Sequence, residues 1–255
     1  MSRVDRAAFD SWPAYYRHYQ TELARRVLVP LLEENGVAVD GKRVLDLGCG
    51  VGGCAAAFAE RAAYCLGIDV GEFQWVGAAN LEFRRADALD PAVAESVRGG
   101  FDIVLLRDVI EHVGDKLLLL SHAAGALRGG GHALVSFPPY WSPYGAHQQS
   151  ELRPHRLRFL PYLHGHPALA GIRRTRMTVA AFERVAREAG FRVLARRLYV
   201  ARPSATLRYG IPTIVFPLPW LAGVREVVCT GATYVLERDG GPRRNEREPR
   251  SPREA

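Results

Sequence analysis

No stretch of this 255-residue chain holds the roughly 18–20 consecutive apolar residues that a membrane-spanning helix needs. The opening Met-Ser-Arg-Val-Asp-Arg leads into no apolar signal segment either. Cysteine is scarce, with four residues at 49, 54, 65 and 229 and no C-x-x-C pair among them. That excludes a disulfide framework and a cysteine-based zinc site, and it fits reduced thiols in a core, so a cytoplasmic location is expected. Lysine is nearly absent, and the 34 basic residues are almost all arginine.

What is present is enough for one sizeable core. Apolar residues make up 48% of the chain, and a single domain over 1–237 is expected. Net charge is +7, and the arginines crowd into 151–208. Such a surface suits an anionic partner, phosphate or phospholipid or nucleic acid, or is simply a solvated basic face. Residues 238–255 mix Gly, Pro, Arg and Glu without apolar anchors and read as a disordered tail.

The stretch Arg43-Val-Leu-Asp-Leu-Gly-Cys-Gly-Val-Gly-Gly53 organises the rest. A short apolar run with Asp46 inside it reads as a buried strand. Glycines 48, 50, 52 and 53 then mark a tight turn, and small residues from Cys54 to Phe58 open a helix. Free N–H groups at that helix start make this the ligand end of a doubly wound α/β unit. The spacing G-x-G-x-G-G differs from the dinucleotide fingerprint G-x-G-x-x-G. A carboxylate beside the turn also suits a cationic ligand better than a pyrophosphate.

A second apolar strand, Tyr64-Cys-Leu-Gly-Ile-Asp69, ends in a carboxylate 19 residues beyond Gly50. That is the distance at which an acidic residue meets ribose hydroxyls in such folds. Strand three follows at 81–86 with Asp87 at its end, strand four at 101–106, a helix over 116–127 closed by Arg128-Gly-Gly-Gly131, and strand five at 132–137. The stretch 71–80 is short for a helix between strands two and three. Thr178 caps an amphipathic helix that Gly190 ends; strands six (191–200) and seven (227–236) complete the sheet. Ahead of the first strand, Ser11-Trp-Pro13 starts a helical region over 9–35 with Tyr15, Tyr19, Leu23, Val27 and Leu31 at helical spacing.

Val44-Leu-Asp-Leu-Gly-Cys-Gly50 closely resembles motif I of class I S-adenosylmethionine (SAM)-dependent methyltransferases. Asp108-Val-Ile-Glu-His-Val113 resembles the segment after strand four in their ubiquinone-biosynthesis-like (methyltransferase type 11–12) branch. The resemblance covers about 9–237. It implies a Rossmann-like, seven-stranded doubly wound sheet with an antiparallel last strand. A helical lid over 9–40, a cap inserted at 138–177 after strand five and an apolar insertion at 201–226 complete it. It implies that SAM is held by Tyr15, Tyr19, Asp46, Gly48, Cys49, Gly50, Asp69, Val70, Asp87, Ala88, Arg107 and Asp108, with S-adenosylhomocysteine as product. Phe137-Pro-Pro-Tyr140 looks like the Asp/Asn-Pro-Pro-Tyr motif of adenine amino-methyltransferases. It follows the wrong strand, however, and lacks the acceptor side chain.

The function expected is methyl transfer to a hydroxyl or activated carbon of a small, lipophilic metabolite. An alcohol acceptor needs a base, and His147 at the end of the aromatic loop and His112 after strand four are the candidates. Histidines 147, 155, 164 and 166 lack metal-ligand spacing, so no metal is expected. The proline-broken apolar run 211–221 is read as core cover, as one wall of a substrate chamber with the 138–147 loop, or as a peripheral membrane contact. Two alternatives stand beside this reading. One is a nucleic-acid or protein methyltransferase using the 151–208 surface; the other is a nucleotide-binding module that does not methylate.

Overall fold

A computed structural model describes residues 3–141 and 177–239 of the chain. Residues 142–176, which hold most of the cap expected at 138–177 and include His147, and residues 240–255 of the tail expected at 238–255 lie outside the described residues. Among those described, eight strands form one sheet in the order β3-β2-β1-β4-β5-β8-β6-β7. β1 (Arg43–Leu47), β2 (Tyr64–Asp69), β3 (Leu81–Arg85), β4 (Phe101–Arg107) and β5 (Leu127–Phe137) run parallel. β8 (Gly231–Arg238) lies antiparallel between β5 and β6 (Phe191–Ala201). The expected seven-stranded sheet with its antiparallel closing strand is therefore present. A two-residue edge strand, β7 (Ile214–Val215), is added beside β6.

Period-two burial explains the layers. Leu45 and Leu47 face one side of β1, and Val44 and Asp46 face the other. The first side packs on α4 (Pro91–Ser96), α5 (Lys116–Ala126) and α6 (Val179–Glu188), around Leu106, Leu119, Phe137 and Phe182. The second packs on α2 (Val29–Glu33) and α3 (Gly53–Ala59), around Leu32, Phe58, Ile103 and Leu134. Chain order moves outward from β1 to β3 and then returns to β4, so the carboxyl ends of β1 and β4 border the crevice where open α/β sheets bind ligands.

The N-terminal helical region forms as its sequence suggests. The Ser11 hydroxyl caps α1 (Trp12–Leu23) by accepting from the Ala14 N–H. A π-helical turn at Ala24–Leu28 then joins α1 to α2, where Pro30 cannot supply a helical N–H donor. Three local expectations are corrected. Arg128-Gly-Gly-Gly131 does not cap α5; the chain passes directly from Ala126 into extended Leu127, and the glycines bulge at the start of β5. The last strand begins at Gly231, because 222–228 folds as helix α8 (Ala222–Val228), its end closed by a Cys229 N–H bond to the Arg225 carbonyl. Residues 211–221 do not serve as core cover. Ile211, Ile214, Val215, Leu218, Trp220 and Leu221 are all exposed, and only Phe216 is buried. Among the described residues no helix is long and apolar enough to cross a membrane.

Candidate functional site

Glycine at three positions shapes the turn after β1. Gly48, Gly50 and Gly52 all have φ between +54° and +79°, a region that costs other residues about 1–2 kcal/mol. Space demands glycine as well. A Cβ on Gly48 would lie 2.3 Å from Cγ2 of Val109, and one on Gly52 would lie 2.5 Å from the Phe83 ring. The Gly48 N–H bonds the Ile68 carbonyl at 2.7 Å, which ties the turn to the end of β2.

Asp69 closes this junction. Its Oδ2 accepts the Gly50 N–H and its Oδ1 accepts the Gly71 N–H, each at 2.8 Å. One carboxylate thus holds two backbone turns in a fixed relation while keeping lone pairs for further donors. Val70, the next residue, is 61% exposed, so its side chain is available as a wall to a ligand.

The other carboxylates are differently placed. Asp46 is buried on the α3 face, and its Oδ2 has no hydrogen-bond partner. Burial, aided by nearby Asp69 and opposed by Arg107, pushes its carboxyl up to about 7. Strand register explains the arrangement. Asp46 pairs with Leu105, so Arg107 stands two residues further along β4 on the same face. Asp87 is exposed at the end of β3, where its Oδ1 accepts the Leu89 N–H at 2.9 Å; the Ala88 carbonyl meets His122 Nδ1 at 2.9 Å. Cys49 is buried beneath the turn, and burial pushes its thiol up, away from a reactive thiolate.

Tyr15 and Tyr19 are buried on α1, with Tyr19 enclosed by cations. The Arg107 guanidinium lies 5.8 Å and that of Arg208 5.4 Å from the Tyr19 ring. Helix α1 is stitched directly to the glycine turn. The Gly53 N–H donates to Gln20 Oε1 at 3.2 Å, and the Thr21 hydroxyl donates to the Gly53 carbonyl at 3.0 Å.

Asp108 has the one positive φ among described non-glycine residues, +53°. Such strain gathers at functional sites, and Asp tolerates it better than bulkier residues. Its carboxylate lies 3.2 Å from Arg107 Nη2 and 3.6 Å from Arg202 Nη1. His112 ends a short 3-10 turn, with Nε2 3.8 Å from Oε1 of the fully buried Glu111. Phe137 is core, with its ring 4.9 Å from Phe182 and 6.2 Å from Tyr234. That agrees with setting the Pro-Pro-Tyr likeness aside. Among the described residues, no three or more His, Cys, Asp or Glu side chains gather to hold a metal.

Three contributors carry no motif. Trp75, in the short stretch between β2 and β3, donates its Nε1–H to the Gly50 carbonyl at 2.7 Å and stacks on Phe83 at 5.4 Å. Gln20 and Arg202 are the others. Only an aromatic cluster, Phe73-Gln-Trp75, hinted at the first; nothing in the sequence marked the other two.

Comparison with known proteins follows the same lines. A family described as a methyltransferase domain matches residues 16–196. Ubiquinone biosynthesis O-methyltransferase of Acinetobacter baylyi is 32% identical over 114 residues, 41% of this chain and 47% of that protein. The protein of that name from Pseudomonas fluorescens is 34% identical over 108 residues, 39% of this chain and 46% of its own. The matched stretch thus spans about half the length of these relatives. An S-adenosylmethionine-dependent methyltransferase from Mesorhizobium loti superposes with a TM-score of 0.56 at 20% identity, covering 82% of this chain and 96% of that one. A Burkholderia thailandensis 1,6-didemethyltoxoflavin-N1-methyltransferase, solved with S-adenosylhomocysteine, gives 0.53 at 15% identity, with 89% and 81% coverage. At these identities the structural likeness shows the fold alone.

Proposed function

The chain belongs to the methyltransferase-domain family, and from that membership we propose that it moves a methyl group from SAM to a hydroxyl or activated carbon of a small, apolar metabolite. The observation that carries the proposal is the placement of Asp69, held by Gly50 and Gly71 with lone pairs to spare at the mouth of the switch-point crevice. Two vicinal ribose hydroxyls fit such an acceptor. The buried, unpartnered Oδ2 of Asp46 favours a cationic ligand nearby, and Gly50 leaves open space within the turn, the nearest atom to a Cβ there being Gln20 Nε2 at 4.0 Å.

SAM supplies an electrophilic methyl on a sulfonium, whose leaving sulfur keeps the electron pair of the broken carbon–sulfur bond. The chain's own residues bind and orient. Asp69 accepts from the ribose, Val70 walls the adenine, and Asp87 with the Ala88 N–H meets its edge. Backbone of Gly48, Cys49 and Gly50 borders the amino-acid end, with Asp46, Arg107 and Asp108. Tyr15 and Tyr19 support the α1 layer above the turn. His112 and His147 are the proposed bases to take a proton from a hydroxyl acceptor. The names of the curated relatives favour oxygen as the attacked atom.

The small-molecule reading draws support from the described arginines of the basic stretch. Arg192, Arg196 and Arg197 pair with Glu237, Glu183 and Glu34, which leaves less free charge for a polymer backbone. The exposed apolar strip at 211–221 is assigned to peripheral contact with a lipid surface. Calorimetric titration with S-adenosylhomocysteine and NAD side by side tests the main proposal. Micromolar binding of the first alone is expected, and binding of NAD instead would overturn it.

A further inference from the structure

One strand beyond the glycine turn, the carboxyl ends of β4 and β5 meet the start of β8 and the end of β6 around a second cavity. Leu23 and Leu28 from the N-terminal helices, Phe137 and Tyr199 supply apolar walls, and Arg107, Asp108 and Arg202 are the charged residues among the described lining. Among the described residues, two guanidinium groups therefore face one carboxylate. Arg107 is held close to Asp108, at 3.2 Å. Arg202 is held more loosely, at 3.6 Å, and among the described residues its guanidinium makes no hydrogen bond. Gly231 lets it lie there, since a Cβ on that glycine would press against the Arg202 side chain at 3.1 Å. The nearby Glu111 does not restore the balance, because burial, helped by Asp108, pushes its carboxyl well above the usual carboxylate range.

The cavity measures about 40 Å³, room for one acidic group, and we infer that it receives the carboxylate or phosphate of an otherwise apolar methyl acceptor, bound there by Arg202. A guanidinium presents a planar fork of donors matched to both oxyanions, and apolar walls raise the worth of that pairing. Asp108 holds Arg202 in place until the acid arrives. The inference rests on the methyltransferase reading, because the cavity takes its meaning from the cofactor crevice that Asp108 also borders.

The test begins with a titration of S-adenosylhomocysteine, whose failure to bind would count against the underlying reading by itself. The protein saturated with that ligand is then titrated with benzoate and phenyl phosphate, and with benzamide and phenol as uncharged counterparts. The acids are expected to bind at least ten-fold more tightly than their counterparts, and whichever acid binds more tightly identifies the oxyanion. Arg202→Gln is expected to erase the preference and Arg202→Lys to keep most of it, each measured on protein saturated with S-adenosylhomocysteine. Acids that bind no better than their counterparts, or not at all, would overturn the inference, as would a preference that survives Arg202→Gln.

Discussion

Asp69 reaches 19 residues back along the chain to accept the Gly50 N–H at 2.8 Å, and with its other oxygen it holds Gly71 at the same distance. The residue assigned to a ligand is thus also the clasp between two turns, so its loss has two separable consequences.

Asp69→Ala removes a charged acceptor from both backbone donors and from the proposed ribose hydroxyls. Hydrogen bonds to charged groups contribute about 1.5–3 kcal/mol each. A fall of roughly 100-fold in affinity for S-adenosylhomocysteine is expected by calorimetry, with a smaller drop in melting temperature. Unchanged affinity would remove Asp69 from the cofactor site.

Gly48→Ala introduces both a disfavoured positive φ and a collision with Val109. Thermal unfolding is expected several degrees below wild type. Adding Val109→Ala relieves the collision and leaves the backbone strain of about 1–2 kcal/mol, so recovery should be partial. Full recovery would mean the strain is negligible here.

Asp46 has its carboxyl raised to about 7 from an ordinary value of 3.8. A raised acid contributes stability that is complete below 3.8 and is lost as pH climbs through 7. A cationic ligand favours the ionised form, so cofactor affinity is expected to rise between pH 5.5 and 7.5, by up to about ten-fold per unit. Asp46→Asn should flatten that profile; an equally steep profile in the variant would place the titration elsewhere.

Glu183 ties α6 to the antiparallel half of the sheet. It accepts from Arg225 and Arg196 and from the Tyr234 hydroxyl at 3.0 Å. Burial raises its carboxyl, but the hydrogen bond from Arg196 and the charge of Arg225 outweigh that and leave it lowered. Stability from a lowered acid is present above about 4.5 and fades as pH falls through the depressed value. Glu183→Gln is expected to cost about 1–3 kcal/mol near neutrality, with the gap to wild type closing in acid. A gap constant with pH in chemical unfolding would show that the charge is irrelevant.

The exposed strip carries Trp220, 68% exposed, with Leu218 and Leu221 beside it. Trp220→Glu with Leu221→Glu is expected to abolish sedimentation of the protein with phosphatidylglycerol vesicles. Equal sedimentation of the variant would move any lipid contact to another surface.

The motifs legible in the chain were those whose cause is local. Ser11 caps α1, Thr178 caps α6 and Gly190 ends it because capping involves only the next few residues. The Arg128-Gly-Gly-Gly131 expectation failed for a matching reason. Whether glycines end a helix or bulge a strand depends on pairing with β4, a partner remote in sequence.

By itself the sequence determined the strand and glycine-turn order, the carboxylates at strand ends and the α/β class, since alternating burial and positive-φ turns are properties of short segments. Only the tertiary structure decided that Trp75 caps Gly50, that Gln20 docks the first helix on the turn, and that Arg107 and Arg202 share Asp108 at a second cavity. The contacts of Trp75, Gln20 and Arg202 join segments 25, 33 and 94 residues apart in the chain. Sheet register and crossover handedness bring them together, and no local spacing records that geometry.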